Sequence, residues 1–197
     1  CDEEEYTQKQ VIVADLGGDH ERVVGVTEGG FNDYPGWSPD GTSVAFMHSS
    51  SLSVVSADLF RYDLERQVLT NITGTPDLME SDHHWHRSGT MTVVTQPLRE
   101  GRLDGPGNVF AFPVIEPERR SQLTRFEVSL GHHCCAADPK YSPDMKFLVY
   151  SRFSKRHGTE GDWDIILRSK GGKEEDLSQN DSMDLWPMWN QDGSKLL

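Results

Sequence analysis

The stretch Pro35-Gly36-Trp37-Ser38-Pro39-Asp40-Gly41 decides how the chain folds. Pro39 presets φ near the value a turn needs at its second position, Asp40 favours a type I turn, and Gly41 tolerates the positive φ that often follows. The same turn, with an aromatic residue before it, recurs along the chain. It returns as Tyr141-Ser142-Pro143-Asp144-Met145 and as Trp189-Asn190-Gln191-Asp192-Gly193, with a degenerate copy at Trp85-His86-Arg87-Ser88-Gly89. The aromatic positions 37, 85, 141 and 189 are separated by steps of 48, 56 and 48 residues. Two residues ahead of the aromatic stands Pro35, Pro139 or Pro187, and in the degenerate copy His83.

A short apolar strand follows each turn, over 43–47, 91–95 and 147–150, and a second one comes after it, over 58–63, 108–112 and 164–168. Each repeat then closes on a segment ending in Val26-Thr27, Leu69-Thr70, Leu123-Thr124 or Leu177-Ser178. These runs are short, β-branched or aromatic, and bounded by Gly, Pro, Asp or Asn. No segment sustains a 3.6-residue period over three turns. Four short strands per repeat are the signature of a β-propeller, because one four-stranded blade cannot bury both faces until neighbours stack on it. The expected fold is therefore all-β, a β-propeller of four-stranded blades. It should be truncated, with three full blades (34–70, 81–124 and 137–177) plus two partial ones. The aromatic before each turn should pack between blades. The stretches Gly101 to Gly107 and Lys155 to Gly161 should be exposed excursions between strands.

Pro-x-Trp-Ser-Pro-Asp-Gly, an apolar strand, then Asp58-Leu59-Phe60-Arg61-Tyr62-Asp63 and Leu69-Thr70 resemble the repeat of TolB-type β-propellers, a WD-like repeat common in bacterial envelope proteins. The same repeat occurs in the non-catalytic propellers of prolyl oligopeptidase-like enzymes. The resemblance covers residues 9–197 and divides the chain into a flexible acidic tether, 1–8, and a TolB-like propeller domain, 9–197, incomplete at its C-terminus. It implies six blades in full members of the family. It also implies a scaffold that binds a protein partner, in envelope integrity or transport.

Nineteen Lys and Arg against 32 Asp and Glu leave a net charge of −13 with no basic block, which argues against a nucleic-acid partner. No run approaches the roughly 18 apolar residues that a membrane-spanning helix needs. Cys1 followed by Asp2, Glu3, Glu4 and Glu5 has the pattern of a mature bacterial lipoprotein, an acylated cysteine ahead of a polar leader. The other reading is an accidental boundary at a cysteine. Lipidation at Cys1 would attach the protein to a membrane without spanning it and would place it in the periplasm or exported to the cell envelope. Neighbouring Cys134 and Cys135 fit disulfide geometry poorly, so no disulfide framework is implied.

No Gly-x-Ser-x-Gly turn, phosphate loop or His-Glu-x-x-His pair occurs, so the chain reads as non-enzymatic and no cofactor is required by any motif. Five of the eight histidines fall in two clusters, His83, His84 and His86, and His132 and His133 followed by Cys134 and Cys135. Imidazole and thiolate ligate zinc, and copper accepts them too. The first cluster lies on one inner strand, the second in the loop entering the next, and both could converge near the channel mouth. The spacing matches no zinc module, and a polar channel lining explains it equally. Asp33, Asp138 and Asp184 precede inner strands, as turn caps or as calcium ligands. Three functions follow: a binding scaffold, the substrate-gating propeller of a prolyl oligopeptidase-like serine peptidase, or a metal-binding propeller. On the lipoprotein reading, mass spectrometry of the native protein should find a diacylglyceryl increment on Cys1; an unmodified Cys1 would remove the anchor.

Overall fold

The computed structural model describes residues 9–27, 29–50, 56–127, 135–154 and 161–197. Every regular element among them is a strand, so no helix there is long and apolar enough to cross a membrane. A small hairpin of β1 (Ile12–Val13) and β2 (Arg22–Val23) comes first. Three antiparallel sheets follow. The first is β3 (Phe31–Trp37), β4 (Ser43–Ser49), β5 (Asp58–Asp63) and β6 (Val68–Asn71), paired in chain order. The second is β7 (Leu78–Trp85), β8 (Thr90–Arg99), β10 (Asn108–Pro113) and β11 (Ser121–Gln122), with β9 (Arg102–Leu103) folded back on β8. The third is β12 (Ala137–Tyr141), β13 (Phe147–Ser154), β14 (Asp162–Ser169) and β15 (Glu174–Asp176). A bridge between Trp189 and Leu196 repeats the opening step once more. These are the three full blades and two partial ones of a propeller.

Strand alternation explains why the blades must stack. Along β4, Val44 and Phe46 join a core with Val11 and Val24 of the leading hairpin, whereas Ala45 and Met47 join Met91, Val93 and Phe112 of the second blade. Along β8 the neighbouring Val94 turns the other way, into a core with Leu148, Tyr150 and Ile166 of the third blade. Both faces of the first two sheets are therefore apolar, and all of β4 is buried.

The turn copies occupy equivalent places, with Trp37 paired to Val44, Trp85 to Met91, Tyr141 to Leu148 and Trp189 to Leu196. Three of the aromatics pack on the preceding blade. Trp85 lies under the Arg61 guanidinium at 5.9 Å, Tyr141 meets the His86 ring edge-on, and the Trp189 indole N–H donates to the Lys140 carbonyl at 3.1 Å. Trp37 departs from the expectation and is 54% exposed.

The fourth strands are held by a repeated brace. The backbone N–H groups of Leu59, Val109 and Ile165 donate to the hydroxyls of Thr73, Thr124 and Ser178. Those hydroxyls donate in turn to Asp58, Asn108 and Asp164. This corrects the repeat register in the first blade: the closing pair equivalent to Leu123-Thr124 is Ile72-Thr73, not Leu69-Thr70. Ile72 N–H donates to the Leu59 carbonyl at 2.7 Å, as Leu123 does to Val109 and Leu177 to Ile165. In the leading hairpin Val24, donating to Val11, holds that place in front of Val26-Thr27.

The degenerate turn has its own logic. Ser43 N–H donates to the Ser38 hydroxyl, Phe147 N–H to Ser142, and Lys195 N–H to the Asn190 side chain. In the shorter turn 86–90 the Thr90 N–H donates to the Ser88 hydroxyl at 3.4 Å instead, and His86 Nδ1 takes the Ser88 N–H at 3.1 Å. Arg87, standing where the other copies have Pro39 and Pro143, reaches across to the next blade. Its Nε and an Nη donate to the Pro143 carbonyl at 3.1 and 2.7 Å. The loss of the proline turn thus accompanies an inter-blade clamp.

Residues 101–104 are exposed as expected, but the excursion returns to the core at Gly107, which is buried, and contains the strand β9. Of the second excursion only Gly161 is among the described residues, and the tether 1–8 lies wholly outside them. Thr124→Val should lower stability by about 2 kcal/mol, because it orphans the buried Val109 N–H and leaves Asn108 Oδ1 with the Phe126 N–H alone. Arg87→Ala should cost about 1 kcal/mol, the scale of an exposed clamp. Denaturant midpoints of the two variants check the order.

Candidate functional site

Each inner strand carries a bulge. Asp33 pairs with Met47 but Gly36 with Ala45, so Tyr34 and Pro35 together oppose Phe46. In the same way Asp82 and His83 oppose Val93, and Asp138 and Pro139 oppose Tyr150. The first bulge residue has positive φ each time, 52° at Tyr34, 47° at Asp82 and 52° at Asp138, and Trp186 repeats it at 58°. Left-handed backbone is costly for non-glycine residues, so four recurrences at one repeat position mark a device of the fold. The bulge re-aims these side chains to the mouth of the channel.

There they line a cavity of about 620 Å³ with Asp162 and Trp163 of the third blade. Its electrostatics are one-sided. Burial, and then the Asp138 carboxylate, pushes Asp82 up to about 6, against the pull of the Ser81 hydroxyl and Lys140. Burial raises Asp138 as well. Burial together with Asp82, Asp33 and Asp138 pushes the Tyr34 phenol up to about 12. Asp162 is 8% exposed, and neither carboxylate oxygen has a hydrogen-bond partner.

The histidines sit elsewhere. His83 occupies the bulge place that Pro35, Pro139 and Pro187 hold in the other copies. Its Nε2 is 3.8 Å from where a Cβ on Gly36 would stand, so its ring faces the first blade. His84 and His86 face the third blade and line a separate cavity of about 360 Å³ with Lys140 and Trp189. Ala136 and Ala137, which follow Cys135, line the larger cavity instead. Cys135 is buried, with φ 55° and outside any disulfide. His132, His133, Cys134 and Cys1 lie outside the described residues. Among the described residues no three His, Cys, Asp or Glu side chains come together as metal ligands. Asp33, Asp138 and Asp184 are not equivalent: Asp33 pairs with Lys9 at 2.8 Å, Asp138 sits in a bulge, and Asp184 accepts from Asn180.

Of the channel-mouth residues the sequence singles out only Asp138, because position 34, 82, 138 and 186 reads Tyr, Asp, Asp and Trp, with no common letter. The available signal was phase: each stands three residues before the repeating aromatic.

No protein-family model matches the sequence, and no curated protein is similar to it. Solved structures are similar in fold. TolB from Acinetobacter baumannii superposes with a TM-score of 0.70 at 16% identity, over 95% of this chain and 42% of that one. The fold is that of a TolB-type β-propeller. The tricorn protease matches with a TM-score of 0.66 at 17% identity, over 96% of this chain and 17% of that one. An acylaminoacyl peptidase from Pyrococcus horikoshii matches at 0.55 and 16%, over 92% and 29%. The chain thus spans less than half the length of each of these three.

Burial pushes both His83 and His84 from the usual 6.5 down to about 4. In His84 the charges of Lys140, His86 and His83 add to it. Between pH 6.5 and 4 the unfolded chain takes up protons that the folded chain refuses, so these two rings withdraw stability as pH falls through that window. Asp82 acts oppositely: its value is raised in the fold, so it adds stability as pH falls through about 6 towards 3.8. Imidazole NMR titration should find His83 and His84 titrating near 4. Values near 6.5 would mean the rings are solvated.

Proposed function

We propose that this propeller is a non-catalytic scaffold of the bacterial cell envelope that binds a protein partner at the mouth of its channel, attached to the membrane through Cys1. One observation carries the reading: the open cavity of about 620 Å³, to which the three full blades and the trailing partial one each contribute a side chain at the inner-strand position. Inner strands converge on the propeller axis, so this is where a partner touches several blades at once and gains the most contact per residue. The likeness in fold to TolB supports the same choice. Among the described residues the lining is chiefly carboxylates, aromatic rings and aliphatic side chains, a pattern suited to recognising a partner.

A photo-crosslinking residue in place of Trp186, which is 68% exposed at the cavity, should give discrete protein adducts in the native host. The same residue in place of Val68, also exposed (50%) on the outer strand β6, should give none. Equal labelling from both positions, or none from either, would overturn the reading.

A further inference from the structure

The large cavity has an unbalanced lining. Four carboxylates border it, Asp82, Asp138, Asp162 and Asp181, and among the described residues no Lys, Arg or His does. Among the described residues Lys140 is the cation whose charge acts on Asp82 and Asp138, but it lines the smaller cavity. The remaining walls are rich in aromatic rings, namely Tyr34, Phe153, Trp163 and Trp186. Phe153 and Trp163 meet edge to face, with centroids 5.6 Å apart.

Asp162 makes this more than a cluster of acids. It lies across the ladder from Ser154 at the start of β14, more than nine-tenths buried, and it lines the cavity with both carboxylate oxygens lacking a hydrogen-bond donor. A buried carboxylate is ordinarily paired, because desolvation without a partner is costly. Among the described residues no donor reaches Asp162, which leaves both of its oxygens open to a ligand in the cavity.

We propose that the channel mouth seats a basic side chain, an arginine above all, of the partner's peptide, with Asp162 as its buried carboxylate partner, Asp82 and Asp138 flanking it, and the tryptophans over its flat face. The inference rests on the reading of the mouth as a partner-binding site, and adds what enters it. Size selects an organic cation: about 620 Å³ lies within the range of roughly 300–1,000 Å³ typical of organic-ligand sites, far beyond what a bare ion fills. Chemistry selects the guanidinium. It donates to carboxylates in a planar fork, stacks on aromatic rings and sheds water more readily than an ammonium. The cation also relieves the mutual repulsion and burial that raise Asp82 and Asp138.

Calorimetric titration with a capped peptide, acetyl-Gly-Arg-Gly-amide, tests this against the same peptide carrying citrulline, which keeps the shape and loses the charge. The arginine peptide should bind roughly tenfold tighter and shift the indole N–H signals of Trp163 and Trp186. Asp162→Asn should weaken arginine binding roughly tenfold, leave citrulline binding unchanged, and leave the melting temperature no lower, since the wild-type carboxylate has no partner to lose. Asp82→Asn serves as a second probe of the same charge. Equal affinity for the two peptides overturns the proposal. So does arginine binding that survives both substitutions, or the absence of any indole shift. If Trp186 adducts form in the host while the peptides show no charge preference, the partner site stands and the cation falls. If arginine is preferred while Trp186 gives no adducts, the cation site stands and the protein partner falls.

Discussion

The one extra residue in each inner strand is the constraint on which the rest depends. An unbroken antiparallel ladder would alternate side chains between the two neighbouring blades and leave little for the axis. The bulges at Tyr34-Pro35, Asp82-His83 and Asp138-Pro139 break that alternation. One side chain per blade is released toward the mouth while the apolar residues on either side keep their inter-blade contacts. Proline suits the second bulge place because the ladder there needs no N–H donor. The left-handed backbone of the first place costs energy that the packing of both faces must offset.

That geometry makes the channel polar in the electrical sense. At the first bulge position the ring reads Tyr34, Asp82, Asp138 and Trp186; two residues on it reads Gly36, His84, Lys140 and Met188. Asp82 and Asp138 line the larger cavity, and His84 and Lys140 line the smaller one. The two rings interact: the carboxylates of Asp138 and Asp82 hold up Lys140 against burial, which lowers it, while Lys140 helps to keep His84 neutral. The contrast follows from which residue each blade presents at two fixed places, with no rearrangement of backbone.

Architecture was legible because a turn constrains residue type. Pro, Asp and Gly are demanded by backbone angles, so Trp37-Ser38-Pro39-Asp40-Gly41 and its copies announced themselves, as did the strands between. The register of the fourth strand was not legible: Leu69-Thr70 and Ile72-Thr73 are the same kind of pair, and only the hydrogen bond from Leu59 to Thr73 tells them apart. The site was less legible still. A histidine reads as a ligand on paper, yet His86 braces its own turn by accepting the Ser88 N–H and His83 stands in for a proline. Asp162 looks like any acid opening a strand until its burial without a donor is seen.

The aromatics at 85, 141 and 189 each lie on the blade before their own, Trp189 through its hydrogen bond to Lys140. Arg87 is the exception that reaches forward, to Pro143. Read along a growing polypeptide, this sets an order of completion. A blade leaves the ribosome with one face uncovered, and the ring that closes it arrives with the next repeat, 48 or 56 residues later. At roughly 5–20 residues per second, that is a wait of about 2–11 seconds. During that interval the newest sheet offers an apolar face to any other chain, and the aromatic of the following repeat ends the exposure.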